Sequence, residues 1–366
     1  MSGTDHARFM ALALSLGARG LGRVWPNPAV GCVIVKDGRI VGRGWTAPGG
    51  RPHAEPIALA QAGAAARGAT AYVSLEPCSH HGQTPPCCEA LIAAGVARVV
   101  TALEDPDPRV AGRGHAMLRA AGIEVMTGIQ ADAARRAHRG FLLNRQAGRP
   151  MVTLKLASSF DGRIATATGE SQWITGPEAR RLVHMQRARH DAVMVGGGTA
   201  RADDPQLTVR GIGVPRQPVR VIVARRLDLP TTGQLAASVD AAPLWLCHGP
   251  DAPAARVADW TARGARLVEV AAGPGGHLDP AALMAALGRS GLTRVFCEGG
   301  GTLAASLLAT GLVDELVGFT AGIALGAEGR PALGALGIEH LAEVPRLQLV
   351  ETCAIGGDVM HRWERI

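Results

Sequence analysis

Apolar residues recur along the chain in two rhythms, and the switches between them place most of the elements. Residues 5–20 carry Leu, Ala and Phe at three- and four-residue spacing, which predicts an amphipathic helix. Val30–Val35 and Arg39–Trp45 are short apolar runs on either side of Asp37-Gly38, a dipeptide that favours a tight hairpin. A helix is expected over Ala54–Ala66, a strand over Ala69–Leu75, a helix from Cys87 through CCEALIAAG, and strands over Arg98–Ala102 and Ile123–Thr127. Strands separated by helices in this way build a mixed sheet with helices on its faces, an α/β plan.

Around Phe141–Pro150 the pattern changes. NRQAGRP is polar, turn-rich and ends in proline, so a domain boundary is placed there, dividing 1–147 from 148–366. A strand over Met151–Ala157 opens the second half. PEARRLVHMQRARH reads as an amphipathic helix with Thr175, Gly176 and Pro177 at its start. DAVMV runs as a buried strand into GGGT, and PVRVIVA, PLWLCHG and ARLVEVA are further strands. LDPAALMAALGRSG is a helix capped by Asp279 with Pro280 at its first position, and TRVFC is a strand that leads into GGGTLAASLLATG.

A length of 366 residues suits two domains, and 47% hydrophobic with 19% charged residues describes a globular chain with an ample core. No apolar run approaches the roughly 18 residues of a membrane span, and the acidic residue Asp5 makes the N-terminus a poor signal peptide. The net charge of +7 raises nucleic acid as a partner. The arginines are dispersed, however, and aromatics make up only 3%, too few for the stacking platforms of single-strand binders. Nucleic acid is therefore not expected, and the basic residues read partly as grips for small phosphates. Seven cysteines is an odd number, scattered in strand-like contexts, which fits a reducing cytoplasm.

The chemistry concentrates between His53 and Cys87. PHAE offers an imidazole followed two residues on by a carboxylate, and EPCSHHGQTPPC offers two thiols. Zinc catalytic sites keep three protein ligands and leave a fourth position to water. His53, Cys78 and Cys87 supply those three, and Glu55 remains to move protons. A metal so held lowers the pKa of its water, and the resulting hydroxide can attack a ring carbon that bears an amino group. The H-x-E…P-C-x-x-C signature of nucleobase deaminases is matched in its first half, but here the eight residues Ser79–Pro86 separate the thiols. The bland alternative is a surface histidine with unpaired cysteines.

Two strand-to-glycine units, MVGGGTARADDP and FCEGGGTLAAS, carry a second signal. Strand, glycines and then a helix start is a phosphate-binding arrangement, although tight structural turns use the same residues. Gly299, Gly301 and Ala304 satisfy G-x-G-x-x-A, but Asp314 and Glu315 precede a strand rather than end one, so the dinucleotide fingerprint fails its acidic test.

PNPAVGCVIV, HAE and EPCSHHGQTPPC, followed by LKLASSFDGRIA, TGESQWIT and ADDPQLTVR, together resemble the bifunctional riboflavin-biosynthesis deaminase/reductases over nearly the whole chain. The resemblance implies an N-terminal cytidine-deaminase-like α-β-α domain and a C-terminal dihydrofolate-reductase-like α/β domain. It implies zinc-dependent deamination of 2,5-diamino-6-ribosylamino-4(3H)-pyrimidinone 5′-phosphate, then NADPH-dependent reduction of the ribosyl group to ribityl. By motif, Ala157, Trp173, Thr199, Asp203 and Gly300, Gly301, Thr302, Leu303, Ala304, Ala305 and Ser306 line the NADPH site. Ser171, Arg187, Leu207, Arg210, Glu298 and Lys155 hold the reductase substrate, with Arg187 and Arg210 suited to gripping a phosphate. Asn27 and His80 are candidate pyrimidine contacts in the first domain. A cytoplasmic homo-oligomer acting on a small pyrimidine ribose phosphate is expected. The alternatives are a single-activity deaminase with a degenerate second domain and a nucleic-acid-editing deaminase.

The chain departs from the family at a few positions. Val24 stands where Thr is usual, Thr46 replaces a common His, Gln83 replaces a basic residue, and Ala224-Arg225 replaces a typical Asp-Ser. Arg225 is thereby a candidate for the 2′-phosphate of NADPH.

Overall fold

The computed structural model describes residues 3–107, 110–214 and 216–366, and the chain divides into two compact units at Gly148/Arg149. The first unit runs α1 (Gly3–Gly17), β1 (Gly31–Lys36), β2 (Arg39–Trp45), α2 (Ala54–Ala62), β3 (Thr70–Val73), α3 (Cys87–Ala93), β4 (Arg98–Thr101), α4 (Arg113–Ala120), β5 (Glu124–Met126) and α5 (Ala131–Ala147). Its five strands lie in the order β2-β1-β3-β4-β5, with β1 antiparallel to β2 and β3 and the rest parallel. Alternate residues supply two cores. Cys32, Ile34, Ala71 and Val73 pack with Ala54, Ala58, Leu91 and Leu118, while Val33, Val35, Tyr72 and Val100 pack with Phe9, Met10 and Ala134. That is an α-β-α sandwich, built on the period-2 alternation of strands.

Local chemistry accounts for the element ends. Asp37 and Gly38 both take positive φ, +48° and +74°, as a two-residue hairpin of the primed type requires. The helix expected over Ala54–Ala66 is α2 followed by a 3-10 turn, because Gly63 at φ +53° breaks it. The polar stretch read as a turn-rich boundary corrects differently. Phe141–Ala147 are the last two turns of α5, and the chain leaves the helix only at Gly148, whose left-handed conformation lets its amide donate to the Asn144 carbonyl.

The second unit comprises β6 (Met151–Ser159), β7 (Arg163–Ala165), α6 (Pro177–Ala188), β8 (Ala192–Gly196), α7 (Gly197–Asp203), β9 (Val219–Val223), α8 (Gln234–Ala237), β10 (Leu244–His248), α9 (Ala254–Ala262), β11 (Arg266–Glu269), α10 (Pro280–Arg289), β12 (Arg294–Gly299), α11 (Gly301–Ala309), β13 (Glu315–Ala321), β14 (Arg330–Pro331), β15 (Leu347–Ile355) and β16 (Asp358–Arg365). Nine strands form one sheet in the order β11-β10-β9-β8-β12-β6-β13-β16-β15. The sheet is parallel through β13 and then antiparallel, the mixed sheet of the dihydrofolate-reductase-like class. Asp279 caps α10 as expected, its carboxylate accepting from the Ala282 amide at 2.6 Å. The β15–β16 hairpin was not legible, since β15 is exposed along most of its length and shows no core-facing alternation. Among the described residues no helix is long and apolar enough to cross a membrane.

Two glycines decide how deeply α2 sits on the sheet. A Cβ at Gly42 would lie 2.2 Å from the Ala58 carbonyl, and one at Gly44 2.2 Å from that of Ala54. Both lie on one face of β2, so helix backbone meets strand backbone with no side chain between. Gly44→Ala should displace the N-terminal turn of α2, which carries His53 and Glu55. Overpacking of this kind costs about 1–3 kcal/mol. The expected result is a lowered melting temperature for the first unit and weaker metal retention, with reductase activity preserved. Unchanged melting and metal content would contradict it.

Candidate functional site

In the first unit, three elements deliver one donor each to a single point. His53 is the N-cap residue of α2, Cys78 follows β3, and Cys87 opens α3. The His53 Nδ1 lies 3.3 Å from the Cys87 Sγ and 3.6 Å from the Cys78 Sγ. Tetrahedral zinc with ordinary bond lengths to nitrogen and sulfur gives N···S edges of about 3.5 Å, so the donor set fits the ion. The Cys87 amide donates to the Cys78 sulfur at 3.3 Å. A hydrogen bond from Cys87 pulls the Cys78 thiol down to about 4, and the same bond pushes the Cys87 thiol up.

Glu55, in the first turn of α2, is buried beside this cluster. Burial, with the Cys78 charge adding to it, raises its carboxyl to about 7, where it can both accept and release a proton near neutrality. The cavity in front of Glu55 is lined by Asn27, Thr46, Arg51, His80, Asp105, Asp107, Phe141 and Arg145 among others. The Asn27 amide donates to the Gly50 carbonyl at 3.3 Å. His80 Nδ1 is buried without a partner, so both residues proposed from motif to touch the pyrimidine do line the cavity, and one of them carries an unsatisfied ring nitrogen there.

Several cavity residues escaped the sequence reading. Glu76 lay inside the quoted EPC motif, yet its role is visible only in three dimensions. Buried directly before Pro77-Cys78, it accepts from the amides of Asp105, Gly112 and His115 at 3.1, 3.0 and 3.1 Å. Asp105, raised to about 6 by burial, and Asp107 belong to the loop so held. Arg51 and Arg145 had no motif to mark them.

In the second unit, β8 and β12 are adjacent and parallel, so the two glycine units emerge side by side at their C-terminal ends. Crevices at that end of a parallel sheet are the usual ligand position in such folds. Gly299 and Gly300 take φ of +88° and +83°, and a Cβ on Gly300 would lie 2.8 Å from the Thr199 hydroxyl. The first-turn amides of α11, Gly301 to Leu303, have no intrahelical acceptor and present the positive end of the helix. That cradle fits a pyrophosphate. The remainder of the expected run behaves otherwise. The Ala304 amide donates to the Gly300 carbonyl, and Ala304 and Ala305 face the core, so their side chains are not available to a cofactor. Ser306 lies a further turn along and is half-buried.

The other residues divide similarly. Ala157 lies on β6 opposite Phe319 of β13, and Asp203 ends α7. Trp173 does not pack in a core; it is 67% exposed, with the Arg180 guanidinium 4.6 Å from its ring centroid. Ser171 is half-buried in the loop before α6. Leu207, at φ +53°, turns its side chain into the core cluster of Val193, Ile222 and Leu246, so only its backbone faces outward.

Arg187 does not fit a phosphate grip. It pairs bidentately with Glu298, through Nε to Oε1 and through Nη2 to Oε2 at 2.8 Å, and its Nη1 donates to the Thr208 carbonyl at 2.8 Å. Burial pushes the Glu298 carboxyl up, but Arg187 outweighs it and holds the group below its usual range. Lys155 stands in the field of this pair, its pKa lowered by burial. Arg210 is exposed and donates to Gln206 at 2.7 Å, which leaves it the better placed of the two for an anion. Arg225 is likewise committed: Nε and Nη2 lie 3.0 and 2.7 Å from the Asp251 carboxylate and Nη1 bonds the Gly276 carbonyl. A 2′-phosphate would have to displace Asp251.

Comparison with known proteins finds a separate family match in each half of the chain. Residues 3–103 match the cytidine and deoxycytidylate deaminase zinc-binding region, and residues 150–361 match the RibD C-terminal domain. Riboflavin biosynthesis protein RibD of Escherichia coli K12 is 44% identical over 365 residues, covering 96% of this chain and 97% of that protein. The Aquifex aeolicus protein of the same name is 38% identical over 98% of each. RibD of Acinetobacter baumannii, in a solved structure, superposes with a TM-score of 0.89 at 40% identity over the full length of both chains. The Thermotoga maritima diaminohydroxyphosphoribosylaminopyrimidine deaminase/5-amino-6-(5-phosphoribosylamino)uracil reductase gives 0.86 at 32% identity, covering 100% of this chain and 99% of that one.

The Arg187–Glu298 pair is 12% and 10% exposed, dry enough that one partner alone is costly. Arg187→Met should destabilise the second unit by about 3 kcal/mol, because it strands a desolvated carboxylate. The double change Arg187→Met with Glu298→Gln should recover part of that loss. Equal melting temperatures for wild type and the single variant would contradict the account.

Proposed function

The chain belongs to the RibD family of riboflavin-biosynthesis enzymes, and from that premise we propose that the residues gathered in each unit carry the family's two chemistries. It is a bifunctional enzyme with zinc-dependent deaminase and NADPH-dependent reductase activities. The full-length match to two-activity proteins does not favour a single-activity deaminase or a nucleic-acid editor. The observation that carries the residue assignment is the convergence of His53 Nδ1 and two thiols beside a buried carboxyl held near 7.

In the deamination, residues up to 147 act on 2,5-diamino-6-ribosylamino-4(3H)-pyrimidinone 5′-phosphate. Zinc, when bound to His53, Cys78 and Cys87, supplies Lewis acidity that makes a coordinated water acidic near neutral pH. Glu55 takes the proton of the attacking water and passes it to the departing amino nitrogen, so that ammonia leaves and the ring carbon gains an oxygen. Asn27 and His80 orient the pyrimidine. The cavity wall keeps out bulk water.

In the reduction, residues 148–366 bring NADPH and the deaminated product together. When bound, NADPH would supply a hydride equivalent for C1 of the ribosyl group, whose C1–O4′ bond opens as that oxygen takes up a proton from solvent. Amides at the start of α11, with Thr199 and Gly300, cradle the dinucleotide, while Trp173 and Ala157 flank it. The Arg187–Glu298 pair is a fixed polar floor that orients the sugar hydroxyls, and Arg210 takes the phosphate. We place the enzyme in the cytoplasm, since all seven cysteines are unpaired. A homo-oligomer is supported by the outer strand β15, which leaves Leu349 and Val350 exposed on an unpaired edge.

Purified chain incubated with the pyrimidine phosphate should yield the deaminated compound alone, and the ribitylamino compound once NADPH is added, both identified by mass. Absence of either product would remove the corresponding activity. Cys78→Ser or Cys87→Ser should release the roughly one zinc held per chain. Glu55→Gln should retain the metal and lose deamination, and metal loss in that variant would make Glu55 a ligand instead. A fragment spanning Arg149–Ile366 should reduce the deaminated compound and be indifferent to zinc chelators; a folded but inactive fragment would refute the modular assignment.

A further inference from the structure

The deaminase substrate is a phosphate monoester, and a dianion entering a cavity with four carboxylates on its walls, Glu55, Glu76, Asp105 and Asp107, needs a cation to hold it. Thr46 on the cavity wall and Gln83 on the cysteine loop carry no charge. Gln83 is an exposed amide on the cysteine loop. Thr46 is buried and its hydroxyl is spent on the backbone, donating to the Pro28 carbonyl and accepting from the Val30 amide, each at 3.0 Å. It ties down the loop that carries Asn27 and has nothing left for a ligand.

Two arginines remain among the cavity residues, and their surroundings separate them. Arg145 projects from α5 with its guanidinium 5.4 Å from the Phe141 ring centroid, in the field of Asp105, which its charge helps to keep ionised. Arg51 lies on the opposite side of the sequence, in the segment entering α2. Its Nη1 donates to the Thr84 hydroxyl at 2.7 Å, next to Gln83, and its Nη2 lies against the Gly82 position. The guanidinium therefore lies beside the cysteine loop, on the cavity wall. No carboxylate lies within ion-pair distance of it among the described residues.

Nη1 of Arg51 also lies 3.4 Å from Nε2 of His53, the ring edge that faces away from the two thiols, so the guanidinium reaches the cavity wall beside the His53–Cys78–Cys87 cluster. An anionic oxygen there would take charge-assisted bonds from it, which are the strong kind. Guanidinium also matches phosphate geometry with paired donors, which an ammonium at the same point would not.

We propose that Arg51 is the residue that anchors the substrate's 5′-phosphate in the deaminase site of this chain. The assignment rests on the pyrimidine-phosphate reading above. Arg51 acts as a specificity residue: it rewards a phosphorylated ribosyl group and has no part in the proton transfers at Glu55.

The test compares kcat/KM for deamination of the pyrimidine 5′-phosphate with that of its dephosphorylated counterpart, on zinc-loaded full-length chain. In Arg51→Ala the ratio of the two should fall about ten- to hundredfold, the size of one lost charge-assisted contact, through KM rather than kcat. Arg51→Lys should restore part of it, and zinc content should stay at the wild-type level in both. An unchanged ratio, or one that collapses in Arg145→Ala instead, overturns the proposal while leaving the deaminase reading intact. A fall in kcat with zinc loss overturns it too, since Arg51 would then be supporting His53. Wild-type chain that deaminates neither compound removes the underlying reading and this proposal together.

Discussion

Buried carboxylates that gather backbone amides hold both units in the geometry their chemistry needs. A carboxylate taken out of water must have its lone pairs filled, and the groups that fill them are thereby fixed. Glu76 fills its oxygens with three amides of the 105–115 segment, so a residue two positions before Cys78 also sets one wall of the cavity. In the second unit Asp191 accepts from the Thr293 amide, the Thr293 hydroxyl and the Arg294 amide at 2.6 to 2.8 Å. That joins the starts of β8 and β12. Asp314 receives the Val152 amide at 2.9 Å and both Arg149 donors, joining β13 to β6. Strand register is thus fixed at the N-terminal ends, and the two glycine units follow at the C-terminal ends.

The two sites solve opposite problems. Around His53 and Glu55 the protein buries the carboxyl, which moves it toward 7, and gives the Cys78 thiol a hydrogen bond from Cys87, which brings it down to about 4. At the ends of β8 and β12 it offers backbone amides and an internally neutral Arg187–Glu298 pair, and leaves reactivity to the cofactor. Proton chemistry needs tuned side chains; hydride transfer needs placement.

What was legible in the residues was local. The Asp37-Gly38 turn, the Asp279-Pro280 helix start and the His53, Cys78, Cys87 set each depend on neighbours in sequence or on a spacing that survives folding. Partner choice was not legible. Arg187 reads as a free cation until Glu298, 111 positions away, takes its fork, and Arg225 until Asp251 does the same. The polar tail of α5 looked like a linker because its exposed face dominates its composition, and only Gly148 shows where the helix ends. Ala304 and Ala305 sat inside a glycine-rich motif whose first turn alone faces outward.

The approach of Thr199 in α7 to Gly300 joins two segments separated by about a hundred positions in the chain. The hydroxyl lies 2.8 Å from where a Cβ would stand, and the φ of +83° at Gly300 strains any side chain there whatever the space. A smaller residue at 199 would therefore not by itself admit a larger one at 300. Across diverging lineages the constraint is one-sided, so an alignment of many sequences should carry glycine at 300 as an invariant beside a more variable 199.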